Sequence, residues 1–169
     1  MSGSNIVPNP SVSLPFLIVA AAFSSSAAAQ TRSSTSADAS VVILRAASAE
    51  QAEPLDFGRV MPSATGGVMT LSPDGALNCT GGMICASRGQ AARFRLTGSD
   101  DVVTIGISES VALAGPGGES VALRPLVSAR EVTLRGGSGD LSVGGTLTIA
   151  GNQAPGAYTG RYVLDLQYQ

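Results

Sequence analysis

The sequence has no histidine, no tryptophan and no lysine. Without histidine there can be no Ser-His or Cys-His catalytic pair and no imidazole metal ligand. All of its 10 cationic residues are arginine, and the formal net charge is −2. That balance excludes the polycationic surface on which nucleic-acid binding depends. Aromatic residues make up only 4% and charged residues 13%. With so few rings, the stacked aromatic platforms of sugar-binding sites are disfavoured. No stretch sustains a 3.6-residue apolar period, so no amphipathic helix is expected. The most apolar run, Leu14–Phe23, is shorter than the roughly 20 residues that span a bilayer. What the chain does have is glycine, 21 residues of it, which suits many short strands joined by tight turns.

The apolar run Leu14–Phe23 is followed by Ser24-Ser-Ser-Ala-Ala-Ala29, with small residues at −3 and −1 of a cut before Gln30. Residues 1–29 therefore read as a secretory signal peptide, leaving a mature chain from Gln30 without a transmembrane segment. Met1–Ser13 carries no Lys or Arg, a departure from the usual leader, and the alternative is an uncleaved N-terminal anchor. The two cysteines, Cys79 and Cys85, then read as one structural disulfide of an exported protein. A metal pair would need further ligands, and redox pairs favour Cys-x-x-Cys. Closing so short a loop is worth about 2 kcal/mol on the chain-entropy model.

Residues 30–40 are rich in Ser and Thr and read as a flexible N-terminal segment. Val41-Val42-Ile43-Leu44 then opens a continuous apolar run to Ala47. Such a run marks a strand buried on both faces or shared between two partners. Ser48–Pro54 reads as a polar break, after which Leu55 and Phe57 share one face before Gly58. Short apolar alternations follow, with turn signals between them. Ser72-Pro-Asp-Gly75 is a turn. Phe94 and Leu96 point inward, with Arg93 and Arg95 on the wet face; Val103, Ile105 and Ile107 form the next inward set. Gly115-Pro-Gly-Gly118 makes a hairpin or loop, and Leu126–Leu134 and Leu141–Ile149 are further strands. Seven to ten such strands predict an all-β, antiparallel sandwich in a single domain spanning residues 41–169.

The closing stretch Gly156–Gln169 alternates most cleanly. Tyr158, Gly160, Tyr162, Leu164, Leu166 and Tyr168 fall on one face, and Thr159, Arg161, Val163, Asp165 and Gln167 on the other. Tyr168 is second from the end and Gly156 fourteenth. This pattern resembles the C-terminal strand of chaperone–usher pilus subunits. Leu55-Asp-Phe-Gly, Ser72-Pro-Asp-Gly, Gly144-Gly-Thr-Leu and Asn152-Gln-Ala-Pro-Gly-Ala-Tyr-Thr-Gly together are similar to the landmarks of a bacterial exported family, domain of unknown function 4402. The closing signature is also similar to spore-coat-U-like subunits of archaic chaperone–usher pili. The resemblance implies an immunoglobulin-like sandwich of fimbrial type and supplies no activity. Two features depart from it. The classical pilin disulfide lies elsewhere in the strand order. Residues 30–39 also lack the large alternating side chains of a donor strand, so that role would fall mainly on Val41, Val42, Ile43 and Leu44.

The expectation is a non-enzymatic structural subunit of a surface fibre, without cofactor or metal. Its Gly156–Tyr168 strand would be captured by a periplasmic chaperone, passed to an outer-membrane usher, and then joined to neighbouring copies through residues 41–47 as donor strand. The chain would be exported to the periplasm and then to the cell surface. The alternative is a self-contained, monomeric secreted sandwich, with Val41–Leu44 folded back as its own strand. Asp100-Asp101, the only adjacent carboxylate pair, reads as a solvated turn, and Arg93 and Arg95 as solubility devices.

Overall fold

A computed structural model describes Ser36 and residues 38–169. The expected signal peptide, residues 1–29, and residues 30–35 and 37 of the segment 30–40 lie outside the described residues. The chain divides into two units, Met1–Ser40 and Val41–Gln169. In the first, Ser36 and Asp38–Ser40 carry no regular secondary structure. The second is the all-β domain.

Twelve strands are described: β1 Ser48–Glu53, β2 Val60–Met61, β3 Gly66–Leu71, β4 Leu77–Cys79, β5 Ile84–Cys85, β6 Ala92–Thr97, β7 Val102–Ile107, β8 Val111–Ala114, β9 Ser120–Val127, β10 Glu131–Thr133, β11 Ser138–Ala150 and β12 Leu164–Tyr168. Every pairing among them is antiparallel. The larger sheet runs β1-β6-β11-β3-β4, with β9 on the other side of β11 and β8 beyond it. The smaller sheet is β10-β7-β12, and β2 pairs with β5 alone. The predicted antiparallel sandwich is therefore what the chain forms, curled about one long strand.

That strand is β11. Its first half, Ser138–Val143, pairs with β6, and Gly145–Ala150 pairs with β3. Its alternation places Leu141 and Val143 in one apolar cluster and Leu147 and Ile149 in another. The first cluster adds Leu96, Val103, Ile105 and Leu134, and β12 closes it with Leu164, Leu166 and Tyr168. The second holds Met69, Met83, Val121 and Leu123, with Leu55, Phe57 and Tyr158 packed on it. Burial of such side chains, at about 25 cal/mol per Å² of apolar area, is what drives the two sheets together.

Four sequence expectations need correction. Ser48–Pro54 is not a break: Ser48–Glu53 is β1, an edge strand paired only with β6. Its residues are exposed or nearly so, so no apolar alternation announces it; the backbone ladder alone makes it a strand. Val41–Leu44, read as a strand buried on both faces or shared between two partners, forms no strand and pairs with no other segment among the described residues. Leu126–Leu134 is two elements: β9 ends at Val127, and β10 has crossed to pair β7. Finally, the closing strand is shorter than its alternation. Only Leu164–Tyr168 forms a ladder, with β7, and Thr159 makes an isolated bridge to Ala114. The alternation holds from Arg161 onward: Tyr162, Leu164, Leu166 and Tyr168 are part-buried, as is Tyr158, while Arg161, Val163, Asp165 and Gln167 are exposed; Gly160, expected inward, is exposed beside Thr159.

Candidate functional site, an open groove between two sheet edges

β1 stands at one edge of the larger sheet and β12 at one edge of the smaller. At one end these two runs of chain meet. The Tyr168 hydroxyl donates to the carbonyl of Arg45 at 2.6 Å and accepts from the Ser99 amide at 2.7 Å. The Arg45 amide in turn donates to Ser99 Oγ at 2.7 Å. Further along, the segments that follow β1 and precede β12 part. Between them lies a groove of about 720 Å³.

One wall is Leu55–Met61, the other Gly156–Tyr162, and the floor includes Met69, Leu123, Leu147 and Ile149. The floor is thus the apolar cluster of the sandwich itself. Among the described residues no backbone hydrogen bond joins the two walls. Each wall is instead bonded to the side away from the other.

The first wall is held by the cysteine hairpin. Asp56 and Gln90 exchange backbone hydrogen bonds at 2.9 and 2.6 Å. The Arg59 amide donates to Ser87 Oγ at 2.7 Å, and Ala86 N donates to Arg59 O at 2.8 Å. Val60 and Met61 then pair with Cys85 and Ile84. Gly58 makes this course possible. Its φ is +73°, and a Cβ there would lie 2.4 Å from Ser87 Oγ. Cys85 is tied to Cys79 on β4, the predicted disulfide, with Cα atoms 6.0 Å apart. The bridge thus anchors β5, the wall's ladder partner, to the larger sheet.

The second wall is held by Glu119. Its Oε2 accepts from the Ala154 amide and from Gln153 Nε2, both at 3.0 Å. The Tyr158 hydroxyl donates to Ala154 O at 2.8 Å and accepts from Gln153 Nε2 at 2.9 Å. The Tyr158 ring lies flat against Gly115, where a Cβ would approach Cε1 to 2.2 Å. Thr159 and Ala114 exchange backbone bonds at 2.9 and 2.7 Å.

Tyr162 stands in this wall where the two apolar clusters meet, its ring edge-on to Phe94 at 6.3 Å. Its hydroxyl is buried, with no hydrogen-bond partner among the described residues. Burial pushes its pKa from 10.0 up to about 12. Buried hydroxyls are normally partnered, so this one marks a position that a bound group could complete.

The sequence-derived site residues thus divide. Gly156, Tyr158 and Tyr162 line the groove. Leu164, Leu166 and Tyr168 pack on the core below it. Val41, Val42 and Ile43 stand 82%, 82% and 88% exposed, and Leu44 41%. The wall Leu55–Met61 escaped sequence reading as part of a site. Its one signal was the Leu55-x-Phe57-Gly58 pattern, in which two inward side chains precede a forced bend. Arg93 is paired with Glu53 at 3.1 Å, and Arg95 sits in register between Glu50 and Asp140. Asp101 Oδ1 accepts the Val102 amide at 2.7 Å, and Asp100 Oδ1 accepts that of Gly137. These carboxylates shape a turn.

The family model Domain of unknown function (DUF4402) matches residues 47–168. The chain belongs to this family. No curated protein and no solved structure is significantly similar to it. The matched residues take in both walls of the groove and both cysteines, and begin just after the exposed run Val41–Leu44.

Proposed function

We propose that the chain is a structural subunit of a bacterial surface fibre, assembled by donor-strand complementation. One observation carries the reading: the sandwich leaves an apolar groove open between two strand edges, while its own most apolar run, Val41–Leu44, stands exposed. An added strand would supply backbone partners to the groove walls and cover the floor. Each apolar side chain that such a strand buries is worth about 1.5–3 kcal/mol. The run leaves the domain at Arg45, beside Tyr168, whereas the groove is walled by residues that precede β12. Donor and acceptor on different parts of one molecule make a head-to-tail contact, which propagates as a filament instead of closing. A periplasmic chaperone fills the groove first and an outer-membrane usher exchanges it for the next subunit, so the chain passes through the periplasm to the cell surface. The groove is furnished with apolar floor residues and strand edges, which suits strand capture and not catalysis.

The test deletes residues 30–44. None of Val41–Leu44 belongs to either apolar cluster, so the sandwich should persist. The truncated chain should still be captured by its chaperone, fail to polymerise, and gain melting temperature when a peptide of the deleted segment is added. If the full-length mature chain is instead a monodisperse, high-melting monomer that ignores the peptide, the self-contained sandwich is the right reading.

A further inference from the structure

Resting on the strand-addition reading, we infer that the donor segment seats in one parity only. Ala39, Val41 and Ile43 enter the groove of the neighbouring copy, while Ser40, Val42 and Leu44 remain on the outer face.

The wall Gly156–Tyr162 fixes the length that matters. Seven residues of extended chain span about 20 Å, room for an added strand of about seven residues. Arg45 fixes where that strand ends. Its amide and carbonyl are bonded to Ser99 and Tyr168 of its own domain, so the part free to leave stops at Leu44. A seven-residue strand ending there begins at Asp38. Successive side chains of a strand face opposite ways, which leaves two choices. One face presents Ala39, Val41 and Ile43. The other presents Asp38, Ser40, Val42 and Leu44.

The groove floor of Met69, Leu123, Leu147 and Ile149 offers no partner to a carboxylate or a serine hydroxyl. Arg59 is solvent-exposed, so it offers a partner at the rim and not within. The Tyr162 hydroxyl can serve only one of them, so burying both Asp38 and Ser40 there would leave at least one unsatisfied, which the first face avoids entirely. A second observation agrees. Ile43, at 88% exposure, has more apolar surface left to bury than Leu44, at 41%. The unpartnered Tyr162 hydroxyl can be met by a backbone carbonyl of the added strand in either parity, so it demands a strand without choosing the face.

The experiment uses the full chain with two paired substitutions, Val41→Asp with Ile43→Asp, and Val42→Asp with Leu44→Asp. Folding is monitored by melting temperature. Assembly is read as the ladder of SDS-resistant multimers, and affinity as the binding of a labelled peptide covering residues 36–44 that carries the same changes. The first pair should abolish the ladder and weaken peptide binding by about a hundredfold or more. The second should keep the ladder and change binding by no more than about threefold. If the second pair is the damaging one, the parity is overturned while strand addition stands. If both pairs are equally damaging, the segment is buried on both faces and the one-sided seating is wrong. If neither pair matters, or the wild type forms no ladder, strand addition itself fails and the inference falls with it.

Discussion

The hydroxyl of Tyr168 bridges the carbonyl of Arg45 and the amide of Ser99, at 2.6 and 2.7 Å. One side chain thereby ties β12 to the start of the larger sheet's edge strand, 123 residues away in sequence. It closes one end of the gap whose other end is the groove. Replacing Tyr168 by Phe keeps the ring but leaves the Ser99 amide and the Arg45 carbonyl without this partner. We expect a loss of about 1–2 kcal/mol in denaturant unfolding and faster amide exchange at Ser99. Unchanged stability and exchange would mean that the gap is held shut by packing alone.

The disulfide should matter beyond its entropy. Cys85 pairs with Val60, and its neighbours Ala86 and Ser87 hold Arg59. Converting both cysteines to serine removes about 2 kcal/mol of chain-entropy stabilisation. It should also loosen the wall Leu55–Met61 in particular. Hydrogen exchange would show this as increased exchange at Arg59 and Ala86, while β7 and β12 keep their protection. Uniform loss across the domain would assign the bridge a purely global role. Two thiols alkylated in the intact protein without prior reduction would remove the bridge from consideration.

Much of this fold was legible in the residues because most of its strands carry one wet and one dry face. β6, β7 and the closing stretch declare themselves by Phe94 and Leu96, by Val103 and Ile105, and by Leu164 and Leu166. β1 does not, because an edge strand exposed on both faces has no reason to alternate. Its neighbour Val41–Leu44 misleads in the opposite direction, being strand-like in composition but without a ladder partner among the described residues. The split of β9 from β10 was also hidden, because Ser128-Ala-Arg130 between them holds no Gly or Pro to mark a turn. Gly156, Tyr158 and Tyr162 were readable as site residues because the groove-lining stretch continues the alternation of β12. The opposite wall is built by Gly58 and by hydrogen bonds to Ala86, Ser87 and Gln90, contacts between residues far apart in sequence that no periodicity encodes.

Leu166 tests the inward face of β12. It pairs with Ile105 in the ladder and packs on the buried cluster of Leu96, Val103 and Leu134. Leu166→Asp places a carboxylate there without a partner, and should cost about 3–5 kcal/mol or prevent accumulation of folded protein. Gln167→Asp, one position along on the exposed face, should cost no more than about 0.5 kcal/mol. Thermal melts of the pair decide the matter: similar melting temperatures would place Leu166 outside the core.

Tyr162 gives the domain an alkaline limit. Burial raises its pKa to about 12 from an ordinary 10.0. The folded chain therefore holds this proton more tightly than the unfolded chain does. Below pH 10 both states are protonated and the contribution is fully present. As pH rises from 10 to 12 the unfolded state ionises first, so stability falls across that window and is lost once the folded group also titrates. Tyr162→Phe removes the ionisable group and also the unpartnered hydroxyl. The variant should match or exceed the wild type in stability at neutral pH, because the hydroxyl has no bond to lose. Its stability should also decline less between pH 10 and 12. Denaturant unfolding of both proteins at pH 8, 10 and 11.5 makes the comparison. If the two alkaline slopes coincide, Tyr162 is not buried as described. If the variant is markedly weaker at pH 8, its hydroxyl has a partner, and the open position in the groove wall is already filled.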